Sequence, residues 1–445
     1  MRKLIFILVC ATALVASAEP VYTLRQIIDL AQGHNIAVSA AKHDVEAAHR
    51  QRQEAFTKYF PNVSATGLYF TTNKGLAEIN LNPGEMISPE VGMALAQTLP
   101  PELLAALSMP VNVSMMKSGA IASVMAVQPV FAGGQIVNGN RLARVGEDVS
   151  RLQLRLKENE VELTAEQYFW QLASLEEKMK TIQAVETLLN GLAKDVDAAV
   201  RAGVAMRNDL LQVQLRQNEV ASQKLKLTNG ISLVRLLLAQ YCGLDSSEFE
   251  ITYDTTAAAP GRLKQNHDVA VMNTAEYQLL GKQVEAAKLQ ERLALGQNLP
   301  TVAVGAGYNY HNLLNNNHFS GMLFATVSVP ITAWWGGSHA MARRKIETQK
   351  ALEQQTDNTE LLKIRMTNAW NGVEEAYSQL QLAQLSIEQA TENLRLNQDY
   401  YRAGISRMSD LLEAQMLFQQ ARDKHTDAFA AYQNKLLEYR LASGQ

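Results

Sequence analysis

The chain contains two copies of one sequence pattern, and this internal repeat constrains its architecture more than any single residue does. Residues 201–243 align with residues 402–444 without a gap. The matched motifs are Arg201-Ala202-Gly203 with Arg402-Ala403-Gly404, and Asp209-Leu210-Leu211 with Asp410-Leu411-Leu412. A repeat on this scale predicts a pseudo-symmetric molecule, such as a ring or a tube, rather than an enzyme with a single cleft.

The repeat also sets the predicted domain boundaries. Pro61 matches Pro300 at an offset of 239, whereas Arg201 matches Arg402 at an offset of 201, so the first copy carries an insertion of 38 residues between these positions. The predicted organisation is a signal peptide, a first repeat, a linker and a second repeat, at residues 1–18, 19–243, 244–266 and 267–445.

The N-terminus has the pattern of a secretory signal. Arg2 and Lys3 precede an apolar run from Leu4 to Val15, and the A-x-A cleavage site ends at Ala18. The apolar run is shorter than the roughly 20 residues that a membrane-spanning helix needs. The mature protein is therefore expected to begin near Glu19 and to leave the cytoplasm.

Composition excludes several classes of protein. The net charge of −3, with 19% charged residues, gives no reason to expect a nucleic-acid partner. After cleavage Cys242 is the one remaining cysteine, so we expect neither an internal disulfide nor a cysteine metal site, and we predict no cofactor. No apolar stretch of 18 residues follows the signal, so insertion into a membrane would require a β-barrel.

Each copy has the pattern helix, strand, loop, strand, long helix, tight turn, helix. The first helices are predicted at about residues 23–59 and 268–298, where prolines end them. The strand pairs are predicted at about 61–130 and 300–330, with return strands that end at Pro129 and Pro330. The long loop of the first pair, about 71–116, is interpreted as extracellular.

The strand after Pro300 alternates an apolar face with a small, polar face. Val302, Val304 and Tyr308 lie on one face, and Thr301 and Asn309 lie on the other. This alternation is typical of a barrel wall with lipid on one side and a wet lumen on the other.

Two long helical hairpins follow the strand pairs, at about 136–243 and 338–443. Sixty-odd residues without proline extend about 95 Å as a helix. Apolar residues recur every seven positions in both arms of the first hairpin, which favours coiled-coil packing. These are Val149, Leu156, Leu163 and Trp170, then Val213, Val220, Leu227, Val234 and Tyr241.

The hairpin turns carry the residues with the most evident chemistry. Gly203 and Gly404 suit the left-handed end of an incoming helix. Asp209 and Asp410 have the capping-box spacing, with Gln212 and Glu413 three residues on, so a plain capping role is one interpretation. The alternative is that several copies place Asp410 and Glu413 in rings of negative charge that select cations.

These residues together resemble the TolC family of outer-membrane efflux channels of Gram-negative bacteria. The resemblance is carried by the double copy, the strands that start at Pro61 and Pro300, the joints at Gln128-Pro129-Val130-Phe131 and Val329-Pro330-Ile331, and the paired Arg-Ala-Gly tips. It implies a mainly α-helical chain with a transmembrane β-barrel, in which a homotrimer joins a 12-stranded barrel, four strands per chain, to a long α-helical coiled-coil barrel.

The resemblance also implies partners. The trimer would sit in the lipid of the outer membrane, span into the periplasm, and dock on a periplasmic adaptor (membrane fusion) protein and an inner-membrane pump of the RND, ABC or MFS type. Its function would be the exit duct of a tripartite efflux or type I secretion system. Drugs, metal ions and secreted polypeptides all stay open as cargo.

Site residues follow from motif positions in the family. Asp410 and Glu413 match the acidic constriction ring, and Tyr401 and Asp209 match the network that holds the periplasmic end shut. The family's gate arginine falls at Ser406, with Arg407 one residue on. The adaptor-docking tips are Arg201, Ala202, Gly203, Val204, Ala205, Arg402, Ala403, Gly404 and Ile405.

Two other functions are alternatives to an exit duct. A periplasmic coiled-coil adaptor or structural protein without a pore would explain the hairpins but not the two strand pairs. A hydrolase or metal enzyme is disfavoured because the eight histidines are scattered and form no H-E-x-x-H motif. We therefore predict no catalytic residues and no metal ligands.

Overall fold

A computed structural model describes residues 20–107, 109–313, 316–331 and 333–445. The predicted signal peptide lies outside this range. The chain divides into two compact units. One contains residues 145–285 and 350–445 with the N-terminal segment up to His49, and the other contains residues 50–144 and 286–349.

Helices account for most of the described chain. The α-helices are α1 (Leu24–His34), α2 (Ile36–Thr57), α3 (Pro89–Thr98), α4 (Pro101–Leu107), α5 (Gln135–Arg201), α6 (Arg207–Cys242), α7 (His267–Ala270), α8 (Ala275–Gln297), α9 (Ala333–Arg402) and α10 (Met408–Ala442). The strands are β1 (Val21–Thr23), β2 (Asn62–Thr71), β3 (Ala77–Leu81), β4 (Val111–Met115), β5 (Ser118–Ala132), β6 (Glu250–Thr252), β7 (Thr301–Asn312) and β8 (Asn317–Ser328). The predicted fold class, mainly α with four long strands, is confirmed.

The first predicted helix is interrupted at Asn35. Thr23 caps α1, since its side chain accepts from the Gln26 N–H at 3.4 Å while the Gln26 side chain accepts from the Thr23 N–H at 2.9 Å. Asn35 has extended backbone angles, and its side chain accepts from the Ala37 N–H at 2.9 Å. An asparagine side chain can replace a backbone acceptor in this way, so α2 starts afresh at Ile36.

The helical unit has an aromatic core. Phe169, Trp170 and Trp370 pack with Tyr432 and Tyr439, all at most 6% exposed. The segment 244–266, which the sequence indicates is a linker, contains β6, and β6 pairs in parallel with β1. Phe249 and Ile251 are buried in the same core, so this segment is packed structure rather than a free connection.

The other unit is built on a four-stranded antiparallel sheet in the order β2-β5-β7-β8. These are the strands that the sequence predicts. However, β5 does not end at Pro129; it continues to Ala132, and its register against β7 shifts between Pro129 and Phe131. A bulge lets the ladder tolerate a proline, which has no N–H to donate. Within the inserted region 71–116, β3 pairs with β4, and α3 and α4 lie between them.

Candidate functional site: the hairpin tips

The incoming helix of each hairpin ends in a Schellman motif. Gly203 and Gly404 have φ angles of 77° and 71°. The N–H of Val204 donates to the Ala199 carbonyl at 3.0 Å, and the N–H of Ile405 donates to the Tyr400 carbonyl at 2.9 Å. Glycine adopts this left-handed angle without steric cost, so the two Arg-Ala-Gly motifs give two matching turns.

The outgoing helices begin three residues earlier than an N-cap role for the aspartates requires. The N-cap residues are Met206 and Arg407, which places Asp209 and Asp410 at the third helical position. Their carboxylate oxygens accept hydrogen bonds from the backbone N–H groups of these N-cap residues. The N···O distances are 3.2 Å for Met206 and 3.1 Å for Arg407. The aspartates are therefore not N-cap residues, but they stabilise the same helix ends through these bonds and through the helix dipole.

Three of the predicted gate residues share one cleft. Asp209, Tyr401 and Ser406 line a cavity of about 610 Å³ at the tips, together with Val196 and Leu411. Burial, and then the nearby charge of Asp209, raise the pKa of the Tyr401 hydroxyl above its usual range. The Ser406 hydroxyl oxygen is buried and has no hydrogen-bond partner among the described residues. The cleft therefore lies between the two hairpin tips, and its lining combines these polar groups with apolar side chains.

The other predicted gate residues do not line the cleft. Asp410, Glu413 and Arg407 are exposed at the start of α10. The Ser409 hydroxyl donates to Asp410 at 3.1 Å. Asp410 and Glu413 are three residues apart, so their side chains lie on the same side of the helix and are free to face a second copy of the chain.

The residues predicted to dock the adaptor form an apolar surface with basic flanks. Val204 is 80% exposed and Ile405 is 75% exposed, and Met206 beside them is also exposed. Arg201 pairs with Asp197 one turn earlier, and Arg402 lies 3.9 Å from Asp399. Ala202, Gly203, Ala403 and Gly404 are exposed, whereas Ala205 is half-buried.

Sequence reasoning missed a buried polar network below the tips. Arg216 on α6 is 9% exposed, and its guanidinium donates to Gln415 at 3.3 Å and to Gln419 at 2.9 Å, both on α10. Gln419 donates in turn to Gln223 at 2.8 Å. The signal was present, because Arg216 falls between Val213 and Val220 at the second core position of the heptad, where an apolar residue is the norm.

The predicted absence of enzyme chemistry is consistent with the described residues but is not established by them. Among these residues no three His, Cys, Asp or Glu side chains cluster so that they could hold a metal ion. Cys242 is fully buried, and burial raises the pKa of its thiol to about 12, so it is a poor nucleophile. No helix within this part of the chain is both long and apolar enough to cross a membrane.

Comparison with known proteins places the fold. The sequence profile of the family described as outer membrane efflux protein matches residues 274–445, within the second repeat. Over these residues, less than half of the chain, the sequence is similar to outer membrane efflux proteins, the family that the sequence motifs resemble. The family is one of channels rather than of enzymes, and the predicted outer-membrane localisation and efflux function are confirmed. No curated protein matches the sequence significantly.

Solved structures with this fold match nearly the whole chain. VceC, an outer membrane protein from Vibrio cholerae, is 14% identical with a TM-score of 0.73, and the match covers 95% of this chain and 96% of VceC. The CmeC outer membrane channel of Campylobacter jejuni is 12% identical with a TM-score of 0.74, over 95% and 85% of the two chains. The MtrE outer membrane channel of Neisseria gonorrhoeae, in its open state, is 14% identical with a TM-score of 0.72, over 95% and 88%.

Proposed function

We propose that three copies of this chain form a passive exit duct, closed at its periplasmic end by the hairpin tips and opened by an adaptor and an inner-membrane pump. The observation that carries the proposal is the four-stranded sheet of residues 62–132 and 301–328. One of its faces is apolar and exposed, and the other carries a row of small and polar side chains beside larger ones such as Met322 and Phe324. Among the described residues both edges of the sheet are open in the single chain.

The apolar face suits lipid. Its residues alternate along the strands, and each is more than half exposed in the isolated chain: Val63, Tyr69, Val124, Tyr308, Leu323 and Val327. Soluble proteins rarely expose a continuous apolar surface of this kind. A bilayer would cover it and remove the cost of its contact with water.

The opposite face suits a water-filled lumen. Thr66 and Ser123 lie side by side on β2 and β5, with their hydroxyl oxygens 2.7 Å apart. Asn309 and Ser320 continue this row across β7 and β8. Small and polar groups do not bind one apolar solute tightly, so a duct with this lining favours passage over recognition. Cargo selection would then belong to the pump.

The open edges require partners. β2 and β8 each have a strand neighbour on one side only among the described residues. Unpaired backbone groups are costly in lipid, so a spanning sheet must close on itself. Three copies of four strands give the twelve-stranded barrel that the family resemblance implies, and the trimer is part of this proposal.

The hairpin tips supply the gate and the docking surface. Three copies would repeat the exposed Asp410 and Glu413 carboxylates as two rings, and such rings select cations and bind divalent ions. The exposed apolar pair Val204 and Ile405 fits an adaptor whose own tips are apolar. The Arg216 network holds α6 to α10 within each chain, so opening must either move both hairpins together or break these bonds.

Planar-bilayer recording of the purified protein tests the duct and the gate together. We expect cation-selective channels that are blocked by divalent ions added on the periplasmic side. The double variant Asp410→Ala, Glu413→Ala should lose most of the selectivity and the block. The control is Glu438→Ala, at the far end of the same helix, where the glutamate is paired with Lys435.

Different results would refute the duct and the gate. A wild-type protein that is folded but never conducts would refute the duct. Conducting channels whose selectivity and divalent block are the same in the double variant would refute the gate assignment alone, and would leave Asp410 with its role at the helix end.

A further inference from the structure

Two histidines face each other at the end of the β7–β8 strand pair. His311 and His318 are direct partners in the antiparallel register, and their rings are stacked with centroids 5.2 Å apart. Both lie on the face of the sheet that carries Asn309 and Ser320. The proposed function and the family comparison give this pair no role.

The strand end that carries the pair is held firmly. On the opposite face Asn317 accepts a hydrogen bond from the Tyr310 hydroxyl at 2.9 Å and another from the Asn312 amide at 3.0 Å. These bonds tie β7 to β8 one position from the histidines. The two imidazoles are therefore presented by rigid backbone, which reduces the entropy lost when a ligand orders them.

One imidazole nitrogen has no hydrogen-bond partner in the described part of the chain. The Nδ1 atom of His311 is buried from solvent and makes no hydrogen bond with any described residue. Its neighbour in register on β5 is Ile121, which offers no donor or acceptor side chain. Buried polar atoms are normally paired, so an unpaired nitrogen beside a second imidazole calls for a ligand.

The spacing suits a shared metal ion. Two nitrogens bound to one tetrahedral ion at about 2.0–2.1 Å are about 3.3 Å apart, and their ring centres are then about 5 Å apart. The observed 5.2 Å agrees with this separation. Rotation about the Cβ–Cγ bonds, which have broad minima in histidine, turns one nitrogen of each ring toward a common point.

We propose that His311 and His318 form a binding site for a divalent transition-metal ion, of the class of Zn²⁺, Ni²⁺ and Cu²⁺. Imidazole suits these ions, whereas Mg²⁺ and Ca²⁺ prefer oxygen ligands. The pair supplies two ligands and water completes the coordination, so the site needs no cluster of three protein ligands. The site lies on the wall of the proposed duct, but binding does not depend on conduction.

Metal titration of the untagged mature protein in detergent tests the site. We expect each chain to bind one Ni²⁺ or Zn²⁺ ion in calorimetry. The variant His311→Asn, His318→Asn should lose this binding. The matched control is His43→Asn, His339→Asn, which removes two exposed helical histidines and should bind as the wild type does.

A spectroscopic measurement distinguishes the loss of a metal ligand from a folding defect. With one Cu²⁺ per chain, electron paramagnetic resonance should show two nitrogen ligands in the wild type and one in His318→Asn, a change at an exposed position that leaves His311 in place. Equal binding by both double variants, or an unchanged nitrogen count in His318→Asn, would overturn the proposal. Neither result would bear on whether the chain forms a channel.

Discussion

At the scale of single residues, the least expected side chain is Glu166, a carboxylate in the core of the helical unit. Glu166 is 2% exposed. The indole N–H of Trp170 donates to its Oε1 at 3.0 Å, while Oε2 lies 3.9 Å from Arg440 and has no hydrogen-bond partner in the described residues. Burial, which is only partly offset by the bond from Trp170, raises the pKa of this carboxyl.

The raised pKa predicts how Glu166→Gln changes stability. A carboxyl whose pKa is higher in the folded state contributes most stability below its unfolded pKa of about 4.3, and loses that contribution as pH rises through the folded value. At neutral pH the glutamine variant should therefore be more stable, by about 1–3 kcal/mol, because it keeps an acceptor for Trp170 without burying a charge. Near pH 4 the difference should vanish. Denaturant unfolding at both pH values measures it.

An exposed glutamate on the same helix is the control for this variant. Glu160→Gln removes a surface pair with Lys157 and should change stability little at either pH. If Glu166→Gln were less stable than the wild type at neutral pH, the ionised carboxylate would be a stabilising partner of Arg440, and the assignment of burial as the dominant effect would be wrong.

Local sequence predicted the tip residues better than it predicted the buried ones. Gly203 and Gly404 have the positive φ that their position before a new helix indicates, because a turn depends on neighbours in the chain. Asp209 and Asp410 lie three positions from the predicted N-cap, since spacing alone does not say which residue leaves the helical angles first. Glu166 could not be predicted as buried, because its burial depends on which helix face packs inward.

At the scale of secondary-structure elements, the joint between β5 and α5 depends on two glycines in contact. Gly133 has a φ of 59°, and a Cβ placed on it would lie 2.2 Å from the Gly296 carbonyl oxygen. A Cβ on Gly296 would lie 2.4 Å from the Gly133 oxygen. The backbones of the β5–α5 joint and the end of α8 therefore approach more closely than any other residue would allow.

Gly296→Ala should disrupt this joint. The clash is with backbone, which cannot rotate away, so we expect a loss of at least about 2 kcal/mol and a lower midpoint of thermal unfolding. The control is Gly139→Ala on α5, where nothing lies within 4 Å of the added methyl group. That change should be neutral or should stabilise the helix by about 0.5–1 kcal/mol. Equal midpoints for the two variants would show that the joint can yield.

Heptad spacing predicted the packing of α6 but not of α5. Val213, Val220 and Val234 are at most 3% exposed, as the repeat indicates. On α5 the predicted residue Trp170 is buried, but Val149, Leu156 and Leu163 are only half-buried. Further along α5 a different seven-residue series is buried, formed by Ile182, Leu189 and Val196. A heptad repeat indicates that one stripe of the helix surface is buried. A helix that packs against several neighbours buries different stripes along its length.

At the scale of the whole molecule, the two copies of the pattern explain how much of the fold could be predicted from the sequence. Matching prolines and tip motifs located both strand pairs and both hairpins, because each feature was seen twice. The elements β3, β4, α3 and α4 belong to the insertion present in the first copy alone, so no second copy indicated their structure. The strand β6 was missed because its partner, β1, is distant in sequence.

Electron-microscopic class averaging of the detergent-extracted mature protein tests the central claim, that the chain builds a trimeric duct. We predict class averages with three-fold symmetry and a continuous lumen, because other copies of the chain must pair with the open edges of the sheet. A monomer, or a solid helical bundle without a lumen, would refute the trimeric duct and would leave Asp410 and Glu413 as residues that only stabilise a helix end.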